Sequence, residues 1–420
     1  MRQMKDSGIE WVGNIPNHWE VMPNKYLMKK VKSICPKYNG EDILSLTMNG
    51  VIVRDLEAGG KMPSSFDGYQ RVWTGNLLMC LFDIDVTPRC IGLIKSDGVT
   101  SPAYSQFQME KNAHASYFSY YYLMVDHTKE LLHMAKNLRH SLNEEQFGAI
   151  TAPVPPIPEQ IKIANYLDQK CGEIDGLIAD IQAEIDTLEQ YKRSIITDAV
   201  IKGLNPDVEM KDEGMEWLGE YPAHWKHYRG KYIFKQRNDR GNLIELQLLS
   251  PTQNYGVIPQ NKYEELSGMS AVKLNEGINL SLLKTIHKGD FCISLRSFQG
   301  GFEYSLYEGV VSPAYQVFYP TKGIYDGYYK YLFKEKSFIA VMNSYTLSLR
   351  DGKNIAFKDF GNTEIPYPPI KEQKQIARFL DEKCLEIEAL LQDKQSQIDT
   401  LESYKKSIIF EYVTGKKEVI

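Results

Sequence analysis

The chain has 420 residues, of which 43% are hydrophobic and 25% charged, and its formal net charge is −5. This composition is typical of globular proteins and excludes a low-complexity or strongly basic chain. The length exceeds one ordinary hydrophobic core and predicts roughly two to four domains.

Several classes of protein are disfavoured by simple patterns. An apolar run long enough for a membrane span is not found, and the start MRQMKDSGIEW lacks the apolar core of a secretory signal, so a cytoplasmic location is expected. The six cysteines contain no C-x-x-C pair, which argues against a zinc site and a disulfide framework and favours free thiols.

The first recognisable element is an aromatic motif, EWVGNIPNHWE, at residues 10–20. It recurs as EWLGEYPAHWK at residues 216–226. Its Gly and Pro predict a turn, so both indoles of each copy are expected to pack on one patch and anchor the entry into a globular domain. The alternative is a surface anchor for a partner subunit. For His18 and His224, packing within the motif is favoured over catalysis.

The globular regions have a mixed pattern. Strands are predicted in NLLMCLFDIDV (76–86) and DFCISLRSF (290–298), and helices in the Tyr-rich stretches 116–125 and 327–333. These runs, with Gly-rich turns between them, indicate a small irregular sheet with flanking helices in each region.

Two long helices follow the globular regions. VPPIPEQ and YPPIKEQ predict an extended approach and a helix start, with Glu159 and Glu372 in the first turn, where the helix dipole favours carboxylates. Apolar residues then alternate at spacings of four and three, which is typical of a coiled-coil seam. The seam comprises Leu167, Cys171, Ile174, Ile178, Ile181, Ile185 and Leu188 in the first helix, and Leu380, Cys384, Ile387, Leu391, Ile398, Leu401 and Ile408 in the second. In the second helix, Lys394 and Lys405 occupy the two seam positions between these residues.

Such narrow apolar stripes are not stable alone, so the two helices are expected to pair with each other. An antiparallel pairing would relate the two halves by a pseudo-twofold axis and act as a spacer between the globular regions. A plain dimerisation coil is the alternative.

The whole chain is an internal repeat with an offset that grows from 206 to 213 residues. The helical parts are nearly duplicated, whereas the globular parts match at scattered positions, such as Gly75-Asn76 with Gly289-Asp290 and SPAY at 101 and 312. We therefore expect an α+β protein with mixed globular domains at residues 1–153 and 206–366 and spacer helices at 154–205 and 367–420.

Charge is distributed unevenly along the chain. Residues 227–363 hold more basic than acidic side chains, and the opposite holds for residues 155–205. The basic stretch is compatible with DNA binding, and the acidic helix is expected to contact protein. Charge reversal of Glu173, Asp180 and Glu184 is accordingly expected to weaken subunit assembly.

Familiar catalytic motifs are missing. The sequence has no G-x-G fingerprint and no phosphate loop, and its histidines lack metal-ligand spacing. The fragment PDVEMK (206–211) resembles part of a nuclease motif, but its spacing is too tight for a metal site built from two strands, so a linker is favoured.

Taken together, EW-x-G-x-x-P-x-HW, SPAY and PP-[IL]-x-EQ-x-x-IA-x-[FY]-L leading into a heptad helix, each present twice, resemble the specificity subunit of type I restriction-modification systems. The resemblance implies two target recognition domains on antiparallel spacer helices and no catalytic activity in this chain. It also implies partner subunits: two modification subunits, which methylate adenine, and restriction subunits, which cut DNA. S-adenosylmethionine, ATP and Mg are expected only in those partners.

Within this interpretation the chain binds a bipartite target in double-stranded DNA, with Arg, Asn or Gln side chains reading base edges. The candidates are Asn49, Arg54, Gln70, Arg71, Arg89, Arg139 and Asn143 in the first domain, and Arg237, Asn238, Arg240, Arg296, Gln299, Arg350, Lys353 and Asn354 in the second. Arg139 and Arg350 recur at the same place in both halves and suit phosphate better than bases. The competing hypothesis is a two-headed coiled-coil scaffold that binds other proteins.

Overall fold

The computed structural model describes residues 2–57, 63–135, 140–241, 246–268, 282–293, 301–321, 323–345 and 355–419. The chain divides into two compact units, one of Met1–Ala183 with Lys394–Ile420 and the other of Glu184–Asp393. Each unit thus combines a globular part with portions of both long helices, whereas the segmentation expected from the sequence kept each helix apart. In the described part of the chain, no helix is both long and apolar enough to cross a membrane.

The first unit consists, in its described residues, of short strands, three short α-helices and parts of both long helices. The strands are β1 (Met4–Asp6), β2 (Asn14–Pro16), β3 (Glu20–Pro23), β4 (Met28–Val31), β5 (Leu44–Thr47), β6 (Gly50–Val53), β7 (Gln70–Val72), β8 (Leu77–Met79), β9 (Ile91–Leu93), β10 (Gly98–Thr100), β11 (Ser105–Met109) and β12 (Thr151–Val154). The helices are α1 (Ala115–His127), α2 (Glu130–Met134), α3 (Glu144–Ala149) and the first part of α4 (Ile157–Lys202), and a 3₁₀ turn spans Asn24–Tyr26.

A four-stranded antiparallel sheet, in the order β4-β11-β8-β9, forms the centre of this unit. The Tyr-rich helix α1 contributes Tyr117, Phe118 and Tyr121 to the same buried cluster as Leu77 and Phe107. The predicted strand at 76–86 ends early because the chain turns at Asp83, which has a positive φ of 46° and accepts a hydrogen bond from the Thr87 amide.

The second unit repeats this plan. Its strands are β13 (Met210–Lys211), β14 (Tyr221–Pro222), β15 (Lys226–Arg229), β16 (Phe234–Arg237), β17 (Leu249–Thr252), β18 (Gly256–Pro259), β19 (Lys284–Ile286), β20 (Phe291–Ile293), β21 (Phe302–Tyr304), β22 (Gly309–Val311), β23 (Gln316–Pro320) and β24 (Glu364–Tyr367). Its helices are α5 (Gly230–Ile233), α6 (Gln260–Ser267), α7 (Asp326–Leu332), α8 (Lys336–Ser344) and α9 (Phe357–Asn362). It also contains the end of α4 and most of α10 (Ile370–Val413), the two helices that it shares with the first unit.

The central sheet of the second unit has the order β16-β23-β20-β21, which matches the first unit strand for strand. Its core is aromatic: Phe234 packs edge-on against Phe291 and Phe318 and also contacts Phe333 and Phe360. The predicted strand at 290–298 is observed for Phe291–Ile293, and residues 294–298 lie outside the described residues.

The two long helices run antiparallel in both units. In the first unit the Lys405 ammonium contacts the Asp175 carboxylate at 2.6 Å, and in the second Lys192 contacts Glu388 at the same distance. These pairs are equivalent in the repeat, so one register holds in both units. All fourteen seam residues are buried or half-buried, among them Leu167, Ile174, Leu380 and Ile387 at 4% exposure or less. An antiparallel coiled coil is therefore confirmed.

Candidate nucleic-acid interface

The beginning of α4 holds the aromatic motif of the first unit. Trp19 is fully buried and donates its indole N–H to the Glu159 carboxylate at 3.1 Å, and the ring nitrogen Nε2 of His18 lies 2.8 Å from the same carboxylate. Arg2 also contacts Glu159. Burial opposes ionisation of Glu159, but the hydrogen bonds from Arg2, His18 and Trp19 outweigh it, so the pKa of this carboxyl lies below its ordinary value.

The second unit repeats this arrangement at the beginning of α10. Trp225 donates to Glu372 at 2.8 Å, and His224 Nε2 lies 2.8 Å from the other carboxylate oxygen. A motif distant in sequence is thus fixed to the first turn of each long helix. The packing interpretation of the Trp and His residues fits this geometry.

The glutamine that follows each of these glutamates fixes the loop before the helix. Gln160 is buried, donates to the carbonyls of Asn112 and Pro155 at 2.9 and 2.8 Å, and accepts the His114 N–H at 2.7 Å. Gln373 donates to the Pro368 carbonyl and accepts the Tyr325 N–H. The glutamine of the EQ pair therefore has a structural role in both units.

A tyrosine in each globular part contacts the long helix that does not hold the aromatic motif of that unit. The Tyr117 hydroxyl donates to the Val413 carbonyl of α10 at 2.9 Å, and the Tyr328 hydroxyl donates to the Val200 carbonyl of α4 at 2.7 Å. Both phenols are completely buried, and burial raises the pKa of each well above its ordinary value. Each globular part is consequently attached to both helices by side chains that recur in the repeat.

Among the candidates for DNA contact in the first unit, Asn49 and Arg71 are exposed and Arg54 is half-buried. Asn49 lies in the turn of the β5–β6 hairpin, and Arg71 lies on β7, 3.7 Å from Glu41. A ligand could therefore reach the exposed side chains of Asn49 and Arg71.

Three other candidates of the first unit have structural roles, which corrects their interpretation as readers. Gln70 is 1% exposed, and its amide donates to the carbonyls of Ser101 and Tyr104. Arg89 donates to the carbonyls of Ile91 and Met48, and burial lowers its pKa. Asn143 caps α3, where its side chain accepts the Gln146 N–H at 2.8 Å.

In the second unit, Arg237 is committed to the fold as well. Its guanidinium donates to both oxygens of buried Asp290, at 2.7 and 3.2 Å, and lies over the Tyr319 ring. Burial opposes its charge, but the bonds to Asp290 outweigh burial and raise its pKa. Asn238 and Arg240, which follow on the same segment, are exposed, although Arg240 donates to the Leu282 carbonyl.

The remaining candidates, Arg139, Arg296, Gln299, Arg350, Lys353 and Asn354, lie outside the described residues. The nuclease-like fragment is described, and its Lys211 donates to the Trp225 carbonyl at 3.2 Å and lies over the Tyr221 ring. This lysine therefore belongs to the packing of the second aromatic motif. Within the described ranges, no three His, Cys, Asp or Glu side chains are grouped so that they would hold a metal ion.

Residues 223–399 match the family model described as type I restriction modification DNA specificity domain. The matched region contains the second aromatic motif's HW pair, the β16–β23–β20–β21 sheet and most of α10. Residues 223–399 therefore carry a type I restriction modification DNA specificity domain.

Individual proteins with similar sequences are also type I specificity subunits. The chain is 25% identical over 287 residues to the putative type I restriction enzyme MjaX specificity subunit of Methanocaldococcus jannaschii, and 26% identical over 296 residues to the MjaVIII specificity subunit of the same organism. The alignments cover 66% of this chain in both cases, and 62% and 64% of the relatives' own length. The chain therefore spans somewhat less than two thirds of these type I specificity subunits.

A solved structure shares the fold along nearly the whole chain. It comes from a study of complex assembly and conformational transition of the type I restriction-modification system, and it matches with a TM-score of 0.68 at 14% identity, covering 96% of this chain and 99% of that one. At this identity the likeness shows a shared fold alone.

Sequence reasoning missed the role of Glu159 and Glu372 as common acceptors. A signal was present, because each EQ pair recurs together with an HW pair in both halves. A buried indole and an imidazole both need a hydrogen-bond partner, and a carboxylate at a helix N-terminus can supply it.

Proposed function

We propose that this chain is the DNA-recognition subunit of a type I restriction-modification enzyme. It binds a bipartite target in double-stranded DNA and directs methylation and restriction by partner subunits. The observation that carries the proposal is the duplicated frame: in each unit, the same Trp–His–Glu contacts and the same Tyr–carbonyl contact attach a globular part to both long helices, while the exposed loops differ.

The mechanism follows from the contrast between the exposed loops, which differ, and the long helices, which both units share. Each globular unit contacts one half-site through side chains such as Arg71 and Asn49 in the first unit and Asn238 in the second. Different loops read different half-sequences, and the shared helices keep the interval between half-sites constant, as spacing does in other two-headed DNA-binding proteins.

Catalysis belongs to the partner subunits in this proposal. The modification subunits supply S-adenosylmethionine and transfer its methyl group to adenine, and the restriction subunits supply the ATP- and Mg-dependent cleavage. This chain contributes target binding and the surface on which the partners assemble.

The function is tested by mapping methylated adenines across the genome in strains with the gene, without it, and with an Asn238→Ala, Arg240→Ala double variant. We expect a bipartite methylated motif that disappears without the gene. In the variant, only one half of the motif should lose methylation stringency. As a control, a Glu382→Ala variant on the exposed side of α10 should leave the motif intact.

The alternative function, a two-headed scaffold that binds other proteins, predicts different results. A protein that binds only other proteins would leave the methylated motif unchanged on deletion. Its binding to random duplex DNA would also lack the steep dependence on salt that phosphate contacts produce.

A further inference from the structure

Three exposed side chains recur at equivalent positions in the two units. The segments are KYLMK, residues 25–29, and KYIFK, residues 231–235. In both, the central apolar pair is buried: Leu27 and Met28 are 0% and 4% exposed, and Ile233 and Phe234 are 5% and 1% exposed. The outer Lys, Tyr and Lys face solvent in both units.

The geometry of the exposed residues is also shared. Tyr26 is 56% exposed and Tyr232 is 66% exposed. The Lys25 ammonium lies 5.1 Å from the centroid of the Tyr26 ring, and the Lys231 ammonium lies 5.5 Å from that of Tyr232. Lys29 and Lys235 follow on the edge strands β4 and β16 of the two central sheets.

Packing does not account for the identity of these three positions. Burial constrains Leu27, Met28, Ile233 and Phe234, and there the two units have different apolar residues. The exposed positions carry no such constraint, yet they hold the same Lys, Tyr and Lys. The recurrence of the same three exposed side chains indicates a ligand that is common to both units.

The chemistry of the surface favours an anion. In the first unit, Lys25, Lys29 and Lys30 line a cavity of about 210 Å³, together with Glu110 and Glu144. Glu144 lies 3.7 Å from Lys30, whereas Lys25 and Lys29 form no ion pair with any carboxylate of the described residues. In the second unit, Lys231 donates to the neutral amide of Asn362, and no ion pair of Lys231 or Lys235 is found in the described part of the chain.

We propose that the Lys-Tyr-x-x-Lys triad of each unit, Lys25, Tyr26 and Lys29 in the first and Lys231, Tyr232 and Lys235 in the second, contacts the phosphate backbone of duplex DNA. The proposal rests on the proposed function and deepens it. The backbone is the part of a bipartite target that is chemically the same at both half-sites, whereas the bases differ. A shared triad beside divergent loops fits this requirement.

The test uses the full chain purified with the modification subunits from its own genome, bound to the methylated motif and to a random-sequence duplex over a range of salt concentrations. The test variant is Lys25→Ala, Lys29→Ala, Lys231→Ala, Lys235→Ala. The control is Lys162→Ala, Lys371→Ala, which removes exposed lysines of the long helices that do not recur in the repeat. A Lys→Arg version of the test variant retains the charges.

We expect the slope of log affinity against log salt to fall by about 0.9 for each phosphate that the variant no longer neutralises, equally for target and random DNA. The methylated sequence should stay unchanged, because these side chains do not read bases. The Arg version should keep the original slope, and the control variant should differ little from the parent.

Three outcomes are decisive. If the parent complex does not bind DNA, the proposed function fails. If the parent binds and the test variant behaves like the control, only the phosphate assignment is overturned. If the test variant keeps its salt slope but no longer co-purifies with the modification subunits, the triad is a protein-docking surface, which also overturns the assignment.

Discussion

A single carboxylate organises the attachment of each globular part. The Glu372 carboxylate accepts a hydrogen bond from the indole N–H of Trp225, which is 1% exposed. It is also hydrogen-bonded to the ring of His224, the residue next to Trp225. Removing the acceptor would leave a buried indole N–H without a partner, which costs free energy comparable to its desolvation.

We therefore expect Glu372→Ala to lower the free energy of unfolding by about 1–3 kcal/mol. Glu372→Gln keeps an acceptor oxygen and should lose less. The measurement is urea unfolding followed by tryptophan fluorescence, with Glu382→Ala as the control on the exposed side of the same helix. A loss from Glu382→Ala as large as that from Glu372→Ala would contradict the assigned role.

Contacts between residues distant in sequence decide whether a polar side chain is available for a ligand. Arg237 is a reasonable candidate reader on sequence grounds, but its partner Asp290 lies 53 positions away, and nothing local predicts their contact. The same holds for Gln70, whose acceptors are the carbonyls of Ser101 and Tyr104. Whether an exposed-looking polar residue is available for a ligand depends on long-range packing that cannot be inferred from one sequence.

At the scale of elements, the long helices carry apolar side chains outside their seam. Leu177 and Tyr404 are 52% and 55% exposed in the first unit, and the equivalent Leu390 and Tyr191 are 50% and 55% exposed in the second. The Asp175–Lys405 pair places Leu177 and Tyr404 at nearly the same level of the helix pair. Each unit thus has an exposed leucine and an exposed tyrosine on its two helices, which are candidates for contact with the proposed modification subunit.

Replacing Leu177 and Tyr404 by Glu should weaken association with the modification subunit by about tenfold or more, because truncating a central apolar contact typically costs over 1 kcal/mol. The unfolding midpoint should change little, since both side chains are exposed. Association is measured by titration of the purified subunits, with Ala179→Glu, at an exposed position of the same helix, as the control. Equal affinities for the two variants would exclude this patch as the contact.

The helices are the most predictable elements. Their seam follows a local period that repeats over many turns, so Leu167, Cys171, Ile174 and their counterparts could be placed without tertiary information. The strands are three to five residues long in the central sheets, and a run such as residues 76–86 contains both a strand and the turn at Asp83. Short elements contain too few periods for a sequence pattern to fix their ends.

At the scale of the whole molecule, both long helices pass from one unit into the other along the chain. Deleting residues 180–186 together with 394–400 removes one heptad from each, between the Asp175–Lys405 and Lys192–Glu388 pairs. The heptad phase is kept on both sides. Seven residues of helix correspond to about 10 Å, or about three base pairs of duplex DNA.

We expect this double deletion to shorten the gap of the methylated bipartite motif by about three base pairs while leaving each half-sequence unchanged. Mapping of methylated adenines provides the measurement. Deleting the heptad from α4 alone is the control, since it offsets the two seams and should abolish methylation. A change in the half-sequences themselves would mean that the helices and the globular units do not divide the work as proposed.

The first unit is built from the beginning and the end of the chain, and this affects the order in which the two units can fold during translation. Its buried cluster includes Ile408, Ile409 and Val413, and its Tyr117 hydroxyl needs the Val413 carbonyl, yet these residues are translated after the entire second unit. The part of the chain made first therefore has to wait, incomplete, until residues 394–419 emerge, while the second unit is already fully synthesised. A premature stop near residue 394 would leave the second unit covalently whole and remove from the first unit the part of its buried cluster that α10 contributes.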